Sequence, residues 1–151
     1  SAAGGVGSML VQICKIKGCK VVAVVGASHK VELCKELGAD SVIDKSRENL
    51  WHAAKNASPA GYHVIFDANG VETLQYSYEH LAPLGKLVVY GFHSMLPKVG
   101  GKLSIMQWLK MGWDWIWTPR FNPLTMVPDN KSVMAFNLSY LFDQVDHCIE
   151  A

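Results

Sequence analysis

The sequence predicts an α/β protein built on a doubly wound parallel sheet. Short β-branched runs alternate with helical periodicities, and the connections between them are only a few residues long. A run of small residues, Ala2-Ala3-Gly4-Gly5-Val6-Gly7, leads directly into the first helical pattern. Buried strands alternating with crossover helices form a parallel sheet covered on both faces. The 151 residues are enough for one such domain with a single core.

Taken in order, Val6, Met9, Leu10 and Ile13 have the spacing of one helix face, and Gly18 is placed to stop that helix in a left-handed turn. Lys20 to Gly26, KVVAVVG, has the continuous apolar character of a strand buried on both faces. Ser28 is expected to cap a second helix that runs to Leu37, with Glu32 in its first turn and Gly38 closing it. Ser41 to Lys45 forms a short strand and Glu48 to Asn56 a weaker helix. Pro59-Ala60-Gly61 breaks the chain before HVIFDANG, a buried strand ending at Gly70. A helix over 71–81 follows, then a Pro83-Leu84-Gly85 turn into a strand from Lys86 to Gly91.

Beyond Gly91 the alternation stops. FHSMLPKVGGKL reads as a loop, and the next stretch packs Trp108, Trp113, Trp115 and Trp117 into ten residues whose spacing follows no single helix face. Pro119, Pro123 and Pro128 are expected to keep the chain irregular until Ser132 to Phe142, which begins as a strand. A last helix starts at Asp143. The expected organisation is a core over 1–91, a Trp-rich insert over 92–131, and a late strand with the start of a helix over 132–151.

Composition narrows the function classes. Half the residues are apolar, 18% are charged and the net charge is +1. Neither a nucleic-acid footprint nor a polybasic membrane patch is present. Lys, Asp or Gly interrupts every long apolar cluster, so no spanning helix is expected, and no signal-peptide pattern opens the chain. Cys14, Cys19, Cys34 and Cys148 lack paired metal-ligand spacing, and no metal is expected. They read as reduced thiols of a cytoplasmic protein.

The glycine-rich opening fits a phosphate-binding turn. Dinucleotide folds use one glycine for the tight turn, one for backbone approach to the pyrophosphate and one for close helix packing. Ala2 takes the first position and Gly4 and Gly7 the others, with the helix start offering N–H groups to phosphate. A Walker-type loop is excluded because no Gly-Lys-Ser/Thr follows. An NAD site ends its second strand on Asp or Glu to bind the ribose 2′-hydroxyl; here that position holds Val25 or Gly26, followed by Ser28, His29 and Lys30. Hydroxyl and ammonium groups suit a 2′-phosphate, with Lys45 as a second cation, so NADPH is the expected cofactor. The missing acidic residue also argues against an S-adenosylmethionine-dependent methyltransferase.

AAGGVG, GCKVVAVVGASHKVELCKELGADSVID, GYHVIFDANG and APLGKLVVYG resemble the Rossmann-type cofactor domain of the medium-chain dehydrogenases/reductases, and within them the zinc-free quinone oxidoreductases. NPLTMVPDNKSVMAFNLSYLF is similar to the vesicle amine transport protein homologues. The resemblance implies a reductase moving hydride from NADPH to a quinone or enone. It places Gly4, Gly5 and Val6 at the pyrophosphate and Ser28, Lys30 and Lys45 around the 2′-phosphate. Val71 or Asn69, with Tyr90, Gly91 and Phe92, line the nicotinamide side, and Phe136, Asn137 and Leu138 lie on the strand beside the nicotinamide amide. Lys45 stands where Tyr or His is often found. By the same resemblance the domain lacks its first strand, its C-terminal end and a preceding catalytic domain, and is expected to be unstable or inactive alone.

No side chain reads as an acid–base catalyst. Asp67 ends a strand and is expected to cap the next turn, and His93 reads as structural or solvated. The tryptophans suit packing against the cleft entrance or another domain, or peripheral membrane contact flanked by Lys102 and Lys110. The latter defines the competing class, a membrane-associated scaffold or lipid-handling protein retaining the fold. Ser132 to Phe142 also suits pairing in a homodimer.

Overall fold

In the computed structural model, residues 2–92 and 105–137 are described, and the chain forms two units, Ser1–Gly61 and Tyr62–Ala151. Both are parallel α/β, as the alternation of strand and helix requires.

The first unit contains α1 (Gly5–Ile16), β1 (Val22–Val25), a 3-10 turn (Ser28–Lys30) running into α2 (Val31–Glu36), β2 (Ser41–Asp44) and α3 (Leu50–Ala57). Gly18 and Gly38 end α1 and α2 at φ of +73° and +95°. β1 and β2 pair in parallel, Val22 opposite Ser41 through Val25 opposite Asp44. Val11 of α1 and Cys34 of α2 pack with Ala23 and Val25 in the core. That one-sided packing corrects the expectation of a strand buried on both faces: Ala23 and Val25 are buried, whereas Val22 and Val24 are only half-buried. Asp40 holds the bottom of this unit together, accepting from Val21 N–H at 2.6 Å and from Lys15 Nζ at 2.9 Å. The Val21 N–H first, and then Lys15, hold its carboxyl below the usual range. Asn49 caps α3 by accepting from His52 N–H at 2.9 Å.

The second unit orders its strands β3 (Tyr62–Asp67), β4 (Leu81–Val89) and β5 (Ser132–Ala135), all parallel, with α4 (Val71–Glu79) between the first two. Two further helices, α5 (Ile105–Ile116) and α6 (Pro123–Asp129), lie between β4 and β5. Central β4 carries the fully buried Leu87, which packs with Leu74, Tyr78, Leu81 and Val89. The expected Pro83-Leu84-Gly85 turn sits inside this longer strand. Leu81 faces Tyr62 and Lys86 faces Val64, so the residues between them are looped out of register. Only glycine fits at Gly85, because a Cβ would lie 2.6 Å from Ala82 O and 2.8 Å from Tyr62 O.

Two expectations are corrected here. The prolines do not keep the chain irregular, since Pro123 takes the first turn of α6, where a missing N–H costs nothing. Asn122 caps that helix by accepting from Leu124 N–H at 2.9 Å, Asn130 ends it in the left-handed conformation at φ +51°, and Asp129 in its last turn accepts from the Tyr78 hydroxyl at 3.0 Å. The Trp-rich stretch is also helical. Its tryptophans do not share a face, but Leu109, Trp113, Ile116 and Trp117 recur at helical spacing and are all exposed. The Trp113 and Trp117 rings lie 5.6 Å apart. No helix among the described residues is long and apolar enough to cross a membrane. Residues 93–104, which hold His93 and all of the expected loop but Phe92, and the segment from Leu138 onward lie outside the described residues.

Candidate functional site

The glycine-rich turn opens α1 without a side-chain cap. Gly4 is the N-cap, in extended conformation at φ −85° and ψ 170°, and Ser8 N–H donates to its carbonyl at 2.8 Å. The first N–H groups of a helix have no partner within it, and they form the positive end of its dipole. Gly4 and Gly5 are exposed, and Val6 is half-buried. A Cβ on Gly5 would meet nothing of this chain within 4 Å, so internal packing does not require glycine there. Gly7 is buried, as expected for close helix packing. Ala2 N–H donates to Val24 O at 2.9 Å, which seats the turn on β1.

The carboxyl ends of β1 and β2 gather the second group. Lys45 N–H donates to Val25 O at 3.0 Å, and the Lys45 stem lies beside Gly26, with Cε 3.6 Å from where a Cβ would stand. Lys30 is half-buried at the end of the 3-10 turn. Neither lysine forms an ion pair among the described residues. Ser28 is not the helix cap expected of it: Ala27 occupies the N-cap, and no side chain caps that turn. Its hydroxyl instead donates to Asp44 Oδ2 at 2.5 Å.

Sequence reasoning missed Asp44. It is 6% exposed, and its Oδ1 accepts from Ser46 N–H at 2.9 Å and from Ser46 Oγ at 2.5 Å. The Ser28 hydroxyl, then the Ser46 hydroxyl, hold its carboxyl below the usual range against the opposing effect of burial. The Asp-x-Ser pattern at a strand end was visible as an Asx turn. The bond to Ser28 was not, because it joins two different loops.

In the second unit the third group meets at the carboxyl end of the sheet, where open α/β folds bind ligands. Asp67, 4% exposed, is the cap that was expected. Its Oδ1 accepts from Asn69 N–H at 2.8 Å and Thr73 Oγ1 at 2.9 Å, and its Oδ2 from Ser77 Oγ at 2.8 Å. Gly70, at φ +93° and ψ −136°, delivers the chain into α4 at Val71 in a conformation that side chains resist. Tyr90 N–H donates to Asp67 O at 2.9 Å, and Phe136 N–H donates to Val89 O at 3.0 Å. The Tyr90 and Phe136 rings stack at 6.1 Å and 17°. Burial, and then the Asp67 charge, push the Tyr90 hydroxyl above its ordinary value. Gly91 packs on Ala68, whose carbonyl a Cβ would approach to 3.2 Å. Asn69 and Val71 are half-buried, and Phe92 and Asn137 are exposed beside this group. Leu138 lies outside the described residues.

Among the described residues no group of three His, Cys, Asp or Glu side chains is placed to hold a metal ion.

Comparison with known proteins agrees with this architecture. The family model described as "Zinc-binding dehydrogenase" matches residues 5–119. The human synaptic vesicle membrane protein VAT-1 homolog is 30% identical over 145 residues, covering 96% of this chain and 36% of that protein. Rat prostaglandin reductase 1 is 38% identical over 101 residues, covering 66% of this chain and 31% of that protein. The chain thus spans about a third of the length of these relatives. Among solved structures, a quinone oxidoreductase of Pseudomonas syringae pv. Tomato DC3000 superposes with a TM-score of 0.64 at 26% identity, covering 93% of this chain and 37% of that one.

Proposed function

The chain belongs to the zinc-binding dehydrogenase family of medium-chain dehydrogenases/reductases, and on that premise we propose that it is the cofactor-binding part of a reductase that uses NADPH to reduce a quinone or other conjugated carbonyl. The observation that carries the NADPH reading is the Lys45 stem lying against Gly26, where an NAD site would present a carboxylate. The relatives named as a prostaglandin reductase and a quinone oxidoreductase support a reductase.

When bound, the dinucleotide supplies the hydride. The uncapped N–H groups after Gly4 bind its pyrophosphate, with Gly5 and Val6 at the point of approach. Lys30 and Lys45 bind the 2′-phosphate as cations, and Ser28 contributes through its main-chain N–H, because its hydroxyl proton is held by Asp44. Asn69, Val71, Tyr90, Gly91, Phe92, Phe136, Asn137 and Leu138 form the nicotinamide side, with the stacked Tyr90 and Phe136 rings as its apolar wall. No titratable side chain of this chain is assigned as acid or base; solvent protonates the product. The family's description names zinc; among the described residues no group of side chains fits a metal ion, and the roles given to this chain's residues are binding and orientation of the dinucleotide. The rest of the substrate cleft comes from a further catalytic domain.

Fluorescence titration of the full-length protein with NADPH tests this reading. We expect Lys45→Ala to weaken NADPH about tenfold, one lost charge-assisted contact, while leaving NADH unchanged. Unchanged NADPH affinity would sink the assignment of Lys45. Quinone-dependent NADPH oxidation by the same protein tests the reaction.

The exposed apolar face of α5 favours a second reading, peripheral membrane contact. Flotation of the full-length protein with anionic liposomes should fall when Trp113 and Trp117 are replaced by Ser. No change would reject that reading.

A further inference from the structure

The bond between Ser28 and Asp44 bears on which dinucleotide the site accepts. A serine hydroxyl has one proton to give and two lone pairs to offer. The Ser28 proton goes to Asp44 Oδ2 at 2.5 Å, and Asp44 is buried, with its other oxygen already taken by Ser46. Ser28 itself is exposed. What it presents outward is therefore an acceptor, with a carboxylate behind it.

A ribose 2′-hydroxyl donates a hydrogen bond, whereas a 2′-phosphate at neutral pH mainly accepts them. An acceptor backed by a carboxylate matches the hydroxyl. To donate to a phosphate, Ser28 must withdraw its proton from Asp44 and leave a buried carboxylate oxygen short of a donor. The Asp44 charge also repels phosphate. Lys30 and Lys45 pull the other way, since both are cations free of ion pairs among the described residues. The two influences oppose each other at one pair of strand ends.

We infer that Asp44, acting through Ser28, keeps this site open to NADH alongside NADPH. The inference rests on the reading that the adenosine ribose binds at the carboxyl ends of β1 and β2. Asp44 is a positioning residue: it touches no cofactor atom and sets what Ser28 can offer. The sequence position that marks NAD sites lacks its carboxylate, and Asp44 supplies one from the neighbouring strand by way of a hydroxyl.

The test is the dissociation constants of NADPH and NADH for the full-length protein, with 2′,5′-ADP and 5′-AMP as competitors that report the ribose subsite alone. The unsubstituted protein should favour NADPH by no more than about tenfold, near 1.4 kcal/mol. Asp44→Asn should raise that preference by about another tenfold, chiefly by tightening NADPH and 2′,5′-ADP. Ser28→Ala should raise it too, by weakening NADH and 5′-AMP. Ser28 is exposed, so this variant carries the test if Asp44→Asn fails to fold. Ser46→Ala removes a partner of Asp44 without touching Ser28 and should leave the ratio unchanged. A ratio that moves in Ser46→Ala as much as in Ser28→Ala would mark Asp44 as merely structural and overturn the inference. So would a ratio unaltered in Ser28→Ala, or a hundredfold preference for NADPH at the outset. If neither dinucleotide binds, the underlying reading falls and takes the inference with it; binding with an unresponsive ratio defeats the inference alone.

Discussion

The ends of β2 and β3 carry the same device, put to different ends. Each strand finishes on a buried aspartate, Asp44 at 6% exposure and Asp67 at 4%. The partners of the Asp67 carboxylate all follow it within ten residues: Asn69 N–H, Gly70 N–H, Thr73 and Ser77. Both of its oxygens are satisfied within one strand–helix turn, so it fixes where α4 begins. Asp44 instead reaches across to Ser28, in the loop that follows the neighbouring strand. A carboxylate with only local partners builds the scaffold. One that bridges two loops at the carboxyl edge of a sheet ties those loops to each other.

The contrast predicts unequal damage. Asp67→Ala should have the largest effect, lowering unfolding free energy by about 3 kcal/mol, because several buried donors lose a charged acceptor together. Urea unfolding would measure it, and hydrogen exchange should place the loss in β3 and α4. A loss of under 1 kcal/mol would mean the Asp67 cluster is no more structural than the Asp44 one. Gly70→Ala attacks the same turn through its backbone and should cost about 2 kcal/mol in the same assay. Asn49→Ala, which removes the α3 cap in the first unit, should cost about 1 kcal/mol.

The subtlest prediction concerns pH. The folded-state pKa of Asp44 is depressed, so the stability it adds is present above the ordinary carboxylate value and is lost as pH falls through the folded value. The gap in urea midpoint between the unsubstituted protein and Asp44→Asn should therefore narrow on acidification from neutral pH. A gap that widens would show that Asp44 is not held ionised by Ser28 and Ser46.

The sequence made the strand–helix order legible because β-branched runs and helical periodicities are local signals. Asp67 was also readable, since its partners follow directly in the chain. Asp44 was not, because its decisive partner lies 16 residues upstream and meets it only once β1 and β2 pair. Proline misled at Pro123: read as a breaker, it sits where the first helical turn has no use for an N–H. Tryptophan misled in α5, because spacing among the tryptophans alone omitted Leu109 and Ile116, which complete the apolar face. At the candidate site, the residue types at Gly4, Gly5, Ser28, Lys30 and Lys45 were legible. The direction in which the Ser28 proton points was not, since only tertiary pairing fixes it.

The connection from β4 to β5 has a consequence for how such a domain diversifies. β3 returns to β4 through α4 alone, whereas β4 reaches β5 only after residues 90–131, which include α5 and α6. Closing a longer loop adds only about 0.6 kcal/mol for each doubling of its length. The sheet therefore tolerates changes of length and content in this crossover at small thermodynamic expense, while non-local closure slows the docking of β5. Exchanging the crossover for that of another family member should leave β3 and β4 paired and alter the exposed face of α5. Beyond Tyr90, Gly91 and Phe92, it is the natural place for a lineage to acquire a new surface without rebuilding the proposed cofactor site.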